Sequence, residues 1–186
     1  MIDDHPSDWD FETEFADALE SVPEEYVDPD RFVPGVGPLT ADVMLVGEAP
    51  GKREVTEGKP FVGQAGTQLN RTLESIGVDR RDLYITNLVK IRPPDNRDPY
   101  VEEIAAWWPV LETEIDRVDP TVVVPLGSVA TGEFLGTDET ITERHGQRFE
   151  YEERTVVPSF HPAAALYDRS KVDALESDLS AALEVG

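Results

Sequence analysis

The most constraining feature of the chain is a junction. The apolar run Val43 to Val46 passes directly into GEAPGKREVTEGKPFVGQAG, Gly47 to Gly66, and from there into a segment with helical spacing. A buried strand that opens into a glycine-rich loop and then a helix is the first half of a βαβ unit, and α/β proteins build their sites on such loops. Its glycines let the backbone turn tightly or approach a ligand closely. Among them stand two acids, Glu48 and Glu54, and an aromatic, Phe61. Neither GxxxxGKS/T nor GxGxxG occurs, so the loop is not a nucleotide-phosphate cradle of either kind.

The rest of the chain repeats the alternation. Trp9, Phe11, Phe15, Ala18, Leu19 and Val22 predict an acidic amphipathic helix over residues 8–21, ended by Pro23 and followed by a Pro/Gly-rich extended lead-in. Strands are expected at 42–47, 83–89, 121–125 and 154–160, with a short hairpin strand at 148–151. Helices are expected at 64–76, 100–118, 127–135 and 170–183, and a Pro-rich loop at 92–99. This order implies an α/β fold, a three-layer αβα sandwich around a four-stranded parallel sheet. The 186 residues read as a single domain, 1–186, in which 1–38 form the N-terminal helix and lead-in. Ligands of such sheets gather at the carboxyl ends of the strands, where Glu48, Asn87 and His161 all fall.

Zero cysteines exclude disulfides and cysteine-ligated metals. The N-terminus is acidic, and no apolar run approaches the roughly 18 residues of a membrane span. A soluble cytoplasmic monomer, without membrane contact, is expected. Thirty-nine acids against sixteen bases leave a net charge of −23, and twelve of the sixteen bases are arginine. The acids are spread along the chain, a pattern that resembles proteins from salt-accumulating halophiles. The charge is also uneven. Residues 52–97 hold nine bases and six acids, net +3, while the remainder holds seven bases and thirty-three acids, net −26. The total argues against a polyanionic partner, yet the basic island is compatible with one; ordinary surface variation would also produce it.

The segments GEAPG, GKPFVGQAG, YITNLVKIRPPDNRDP, PLGSVA and PSFHPAAAL, in this order between about Asp42 and Leu166, resemble the motifs of the uracil-DNA glycosylase superfamily, nearest its family 4. The resemblance implies an enzyme that flips uracil out of DNA and hydrolyses its N-glycosidic bond, leaving an abasic site for base excision repair. Members of that branch hold a four-iron, four-sulfur cluster on four cysteines, and this chain has none. Ile91 and Trp107 stand at two of the ligand positions, and residues 24–38 offer no pair, so a version without cluster or metal is expected. Ile91 and Trp107 either fill the vacated space or, with Trp108, are ordinary core and surface residues.

By the same resemblance Phe61 stacks on the flipped base and Asn87 reads it; the alternatives are a core phenylalanine between glycines and an asparagine that caps a strand end. An asparagine amide suits that task, because its oxygen accepts from uracil N3–H while its NH2 donates to O4; cytosine presents the reverse pattern. His161 points at O2 and steadies the departing uracil anion. Aspartate-dependent relatives carry their acid at the position of Ala49, here left to line the pocket, so Glu48 is the water-activating base or cation stabiliser. Glu54 lines the pocket near uracil C5. Capping of the following helix is the alternative role for both glutamates. Leu166 is the wedge that enters the minor groove, and Lys52, Lys59, Lys90, Arg92 and Arg97 contact the DNA backbone. His5 and His145 are expected at the surface. A member of the fold that binds uracil or abasic DNA with little turnover is the alternative; an unrelated α/β hydrolase would need a GxSxG elbow, which is absent.

Overall fold

The computed structural model describes residues 8–136, 138 and 140–185; His5 lies outside them. Strands β1 Val43–Gly47, β2 Tyr84–Asn87, β3 Val122–Pro125, β4 Phe149–Tyr151 and β5 Arg154–Val156 form one sheet in the order β2-β1-β3-β5-β4. The β1, β2, β3 and β5 strands are parallel, and β4 folds back antiparallel on β5. The expected four-stranded parallel sheet thus gains a fifth, antiparallel edge strand from the hairpin read at 148–151. The strand expected at 154–160 ends early at Val156, and the bridge between Leu126 and Ser159 continues its course.

Helices α1 Phe11–Glu14, α2 Ala16–Glu20, α3 Lys52–Glu57, α4 Gln64–Ser75, α5 Val101–Val118, α6 Ser128–Leu135, α7 Ile141–Arg144 and α8 Arg169–Val185 surround the sheet. Alternate residues of β1 enter different cores, as the period of a strand dictates. Met44 and Val46 pack with Phe11, Phe15, Trp107, Leu111 and Phe134, whereas Val43 and Leu45 pack with Leu69, Leu73, Leu175 and Leu179. The expected first helix is broken at Phe15 (φ −110°, ψ 26°), which lets both Phe11 and Phe15 bury their rings, 4.7 Å apart. A further difference is α3, six residues long, inside what the sequence presents as continuous loop.

The lead-in has a structural task. Phe32 bridges Ile91 and Val36 bridges Ile85, both antiparallel, so this segment runs beside β2 and covers an otherwise open sheet edge. The Phe32 ring lies 6.3 Å from that of Trp107, whose indole N–H donates to the Tyr26 carbonyl at 3.2 Å. Ile91 and Trp107 belong to the same apolar core. The lead-in, the loop after β2 and α5 therefore meet over the apolar side chains of Phe32, Ile91 and Trp107. Replacing buried Trp107 with alanine should cost ~3–5 kcal/mol.

Candidate active site at the carboxyl edge of the sheet

From β1 the chain moves to β2 on one side and then crosses to β3 on the other, so the carboxyl ends of β1 and β3 open a crevice at a topological switch point. Gly47, last in β1, is in register with Asn87, last in β2. A Cβ on Gly47 would lie 2.7 Å from the Phe61 ring and nearer still to Asn87 Oδ1. Glycine is needed there because two functional side chains share its space. Across the crevice, Gly127 follows β3 with φ +93°, and a Cβ on it would lie 3.2 Å from His161 Cβ. The Phe61 and His161 ring centroids are 5.6 Å apart. The structure therefore brings Phe61, Asn87 and His161 together around the tip of β1, with Glu48 next in the chain.

Asn87 is buried, and Lys90 Nζ donates to its main-chain carbonyl at 2.6 Å. Among the described residues no protein group hydrogen-bonds its side-chain amide. Its amide atoms are not sealed from solvent, so both the NH2 donors and the oxygen acceptor are available at the crevice to a ligand. His161 Nδ1 accepts from the Ala163 N–H at 3.1 Å, and burial holds the imidazole below its usual pKa. These two facts assign a neutral ring with its proton on Nε2, a donor that adds no charge of its own.

Glu48 is half-buried and is pushed up to about 7, first by burial and then by the Asp98 carboxyl within hydrogen-bonding reach. No donor satisfies its buried Oε1. The two observations agree: at lower pH the protonated Glu48 donates to Asp98, and at higher pH a poorly satisfied carboxylate is available as a base. Asp98, in the Pro-rich loop, is a site residue that sequence reasoning missed. Glu54 lies on α3 with its carboxylate between Gly51 and Gly63, where added Cβ atoms would be 2.9 and 3.8 Å away. Ala49 is half-buried against the apolar core.

The basic island is corrected in one respect and diluted in several. Lys90 cannot touch DNA: its side chain is fully buried, paired with the equally buried Glu114 of α5, whose Oε2 accepts from Tyr84 O–H at 2.6 Å. Burial pushes the Lys90 ammonium down, opposed by the Glu114 carboxylate. A signal for this pair existed in the sequence, because Glu114 falls on the apolar stripe Ile104, Trp107, Leu111, Ile115, Val118 of its helix. Elsewhere in the island Arg53 pairs with Glu57 at 3.0 Å, Arg81 with Asp79 at 2.7 Å and Arg97 with Glu103 at 2.6 Å. Arg97 also stacks 3.6 Å over the Tyr100 ring. Lys52 is exposed, Lys59 and Arg92 are half-exposed, and Leu166 is half-buried beside Tyr167, which is 89% exposed. His145 departs from its expected surface role: its Nδ1 lies 2.9 Å from the buried Asp178 carboxylate, and its ring is 4.4 Å from that of Phe160, beside His161. Among the described residues no helix is long and apolar enough to cross a membrane, and no His, Asp and Glu group is arranged to hold a metal.

The Phe61 ring, almost wholly buried at the edge of one core, an amide without a protein partner and a neutral imidazole donor converge at the switch point of a doubly wound sheet, an α/β site suited to a flat ring with hydrogen-bonding edges. The model of the Uracil DNA glycosylase superfamily matches residues 34–184, and the chain belongs to that superfamily. It is 39% identical over 180 residues to a type-4 uracil-DNA glycosylase of Sulfurisphaera tokodaii, covering 87% of this chain and 82% of that one. Similar enzymes named type-4 uracil-DNA glycosylase occur in Saccharolobus solfataricus (42% identity; 78% and 72% covered) and Archaeoglobus fulgidus (41%; 80% and 78%).

Proposed function

We propose that this chain is a uracil-DNA glycosylase that acts on uracil within DNA and needs no iron–sulfur cluster. The observation that carries the reading is the Asn87 amide, without a protein partner and accessible at the crevice, close to the Phe61 ring and the His161 donor. Uracil flipped into the crevice would stack on Phe61 and pair N3–H and O4 with Asn87. As the C1′–N1 bond breaks, its electron pair moves onto the uracil ring, where the His161 Nε2–H meets the developing charge on O2. Water adds to C1′, and its proton passes to the Glu48 carboxylate, whose pKa of about 7 suits a general base near neutral pH. Glu54 borders the loop on the side assigned to C5. Lys52, Lys59, Arg92 and Arg97 serve the DNA backbone, and Leu166 with the exposed Tyr167 faces the groove left by the flipped base. The cluster-free reading rests on the zero cysteines of the chain and the apolar packing of Phe32, Ile91 and Trp107.

The test is incubation with uracil-containing single- and double-stranded oligonucleotides in molar KCl, with abasic sites as readout. Asn87→Ala should abolish uracil release in a folded protein; undiminished release would refute the pocket. Binding without abasic sites in the unmodified chain would replace the enzyme by a damage-binding member of the same fold.

A further inference from the structure

Phe61 holds its place by an unusual backbone. Its φ is +51°, a left-handed conformation that a residue with a bulky side chain rarely adopts without support. The support is Arg80, in the turn before β2. Its Nη1 donates to the Phe61 carbonyl at 2.7 Å and to Asn70 Oδ1 at 2.8 Å, and its Nη2 donates to the Pro60 carbonyl at 2.7 Å. The planar guanidinium is thus oriented by α4 and grips two successive carbonyls. From the opposite side, a Cβ on Gly66 would collide with the Phe61 carbonyl, so the start of α4 closes directly against it.

We propose that Arg80 is a positioning residue for the base-stacking face: by clasping the carbonyls of Pro60 and Phe61 it locks the left-handed turn that aims the Phe61 ring toward Asn87 and His161. Arg80 itself touches neither base nor sugar in this scheme, which rests on the glycosylase reading above. Its effect passes through one side chain. With the ring held, the space between its face and the Asn87 and His161 groups is set before substrate arrives. Without the clasp, Phe61 is free to return to negative φ, and the ring turns away from the polar groups that read the base. The arrangement also explains why this arginine belongs to a basic island on an acidic protein: its charge is spent on internal carbonyls rather than on DNA.

The test is a double-mutant cycle on single-turnover release of uracil, with Arg80→Met, Phe61→Ala and the pair, and with urea unfolding to verify each fold. A displacement of a reacting group by about 1 Å can cost ~100-fold, so Arg80→Met should lower the rate on the order of 30- to 100-fold. In the Phe61→Ala background the same change should cost less than about 3-fold, because the ring it positions is gone. Arg80→Lys, which retains one donor group and the stem, should fall between and serves if Arg80→Met does not fold. Equal losses from Arg80→Met in both backgrounds would overturn the proposal, as would no loss in either. If the unmodified chain releases no uracil, the glycosylase reading fails alone. The same cycle is then read in affinity for an oligonucleotide carrying uncleavable 2′-fluorodeoxyuridine, with the same non-additivity expected and additivity again decisive against the clasp.

Discussion

Two glutamates near Asn87 have opposite surroundings. Glu114 is sealed in the core, ion-paired with Lys90 and hydrogen-bonded by Tyr84, and the Lys90 ammonium ties it to the Asn87 carbonyl. Glu48 is half-buried at the crevice, faces another acid, and has an oxygen that no donor satisfies. Burial raises the cost of charge in both places. At Glu114 an opposite charge compensates it, so the network is a permanent strut that Lys90 ties to the Asn87 carbonyl. At Glu48 a like charge adds to it, so ionisation is deferred to neutral pH, where a proton acceptor is useful. The same side chain is fixed as a charged strut in one setting and left to titrate near neutrality in the other, according to its partner.

The comparison breaks most visibly at Lys90. Lys90→Met strands the Glu114 charge in a dry core and should cost ~3–5 kcal/mol in urea unfolding, whereas Lys90→Met with Glu114→Leu should recover most of it. A full loss persisting in the double variant would show that the strut acts by more than charge. Glu48→Gln should do the reverse. Its rate of uracil release should fall ~100-fold while the fold keeps or gains stability at neutral pH. The sign at neutral pH favours the variant: a folded-state pKa raised from 4.5 to about 7 means that ionising Glu48 weakens the fold as pH climbs through that window.

The pH profile sharpens the contrast further. Release that needs the Glu48 carboxylate should rise as pH increases through about 7 and level off above it. Asp98→Asn removes the second cause of the shift and should move the midpoint lower, though not to the ordinary glutamate value, since burial remains the larger cause. A midpoint unmoved by Asp98→Asn would dissociate the two acids. Asp178 provides an intermediate case, a buried carboxylate that burial raises and His145 pulls back down. His145→Gln should cost about 1 kcal/mol or less by urea unfolding and slow release only a few-fold, acting through the Phe160 contact.

Much of this was legible in the residues. The βα alternation follows from apolar runs of strand length separated by amphipathic segments, and Phe61, Asn87, His161 and Glu48 stand in motifs whose order implies a single sheet edge. The misses share a cause. Lys90 reads as a surface base because its partner, Glu114, lies in a helix that the chain reaches only after the Pro-rich loop. Asp98 reads as a loop acid until that loop is folded over Glu48. The α3 helix is too short to show a period, and the positive φ of Phe61 has no mark in composition.

What the sequence determined by itself is the set of chemical groups and the layered fold that carries them, because hydrophobic period and glycine placement are local properties of the chain. What only the tertiary structure decided is which ionised groups are paired, which are opposed and which are left open. Burial and charge compensation depend on neighbours that the chain supplies from distant segments, and those neighbours make Lys90 a strut and Glu48 a titrating acid, and leave the Asn87 amide without a protein partner.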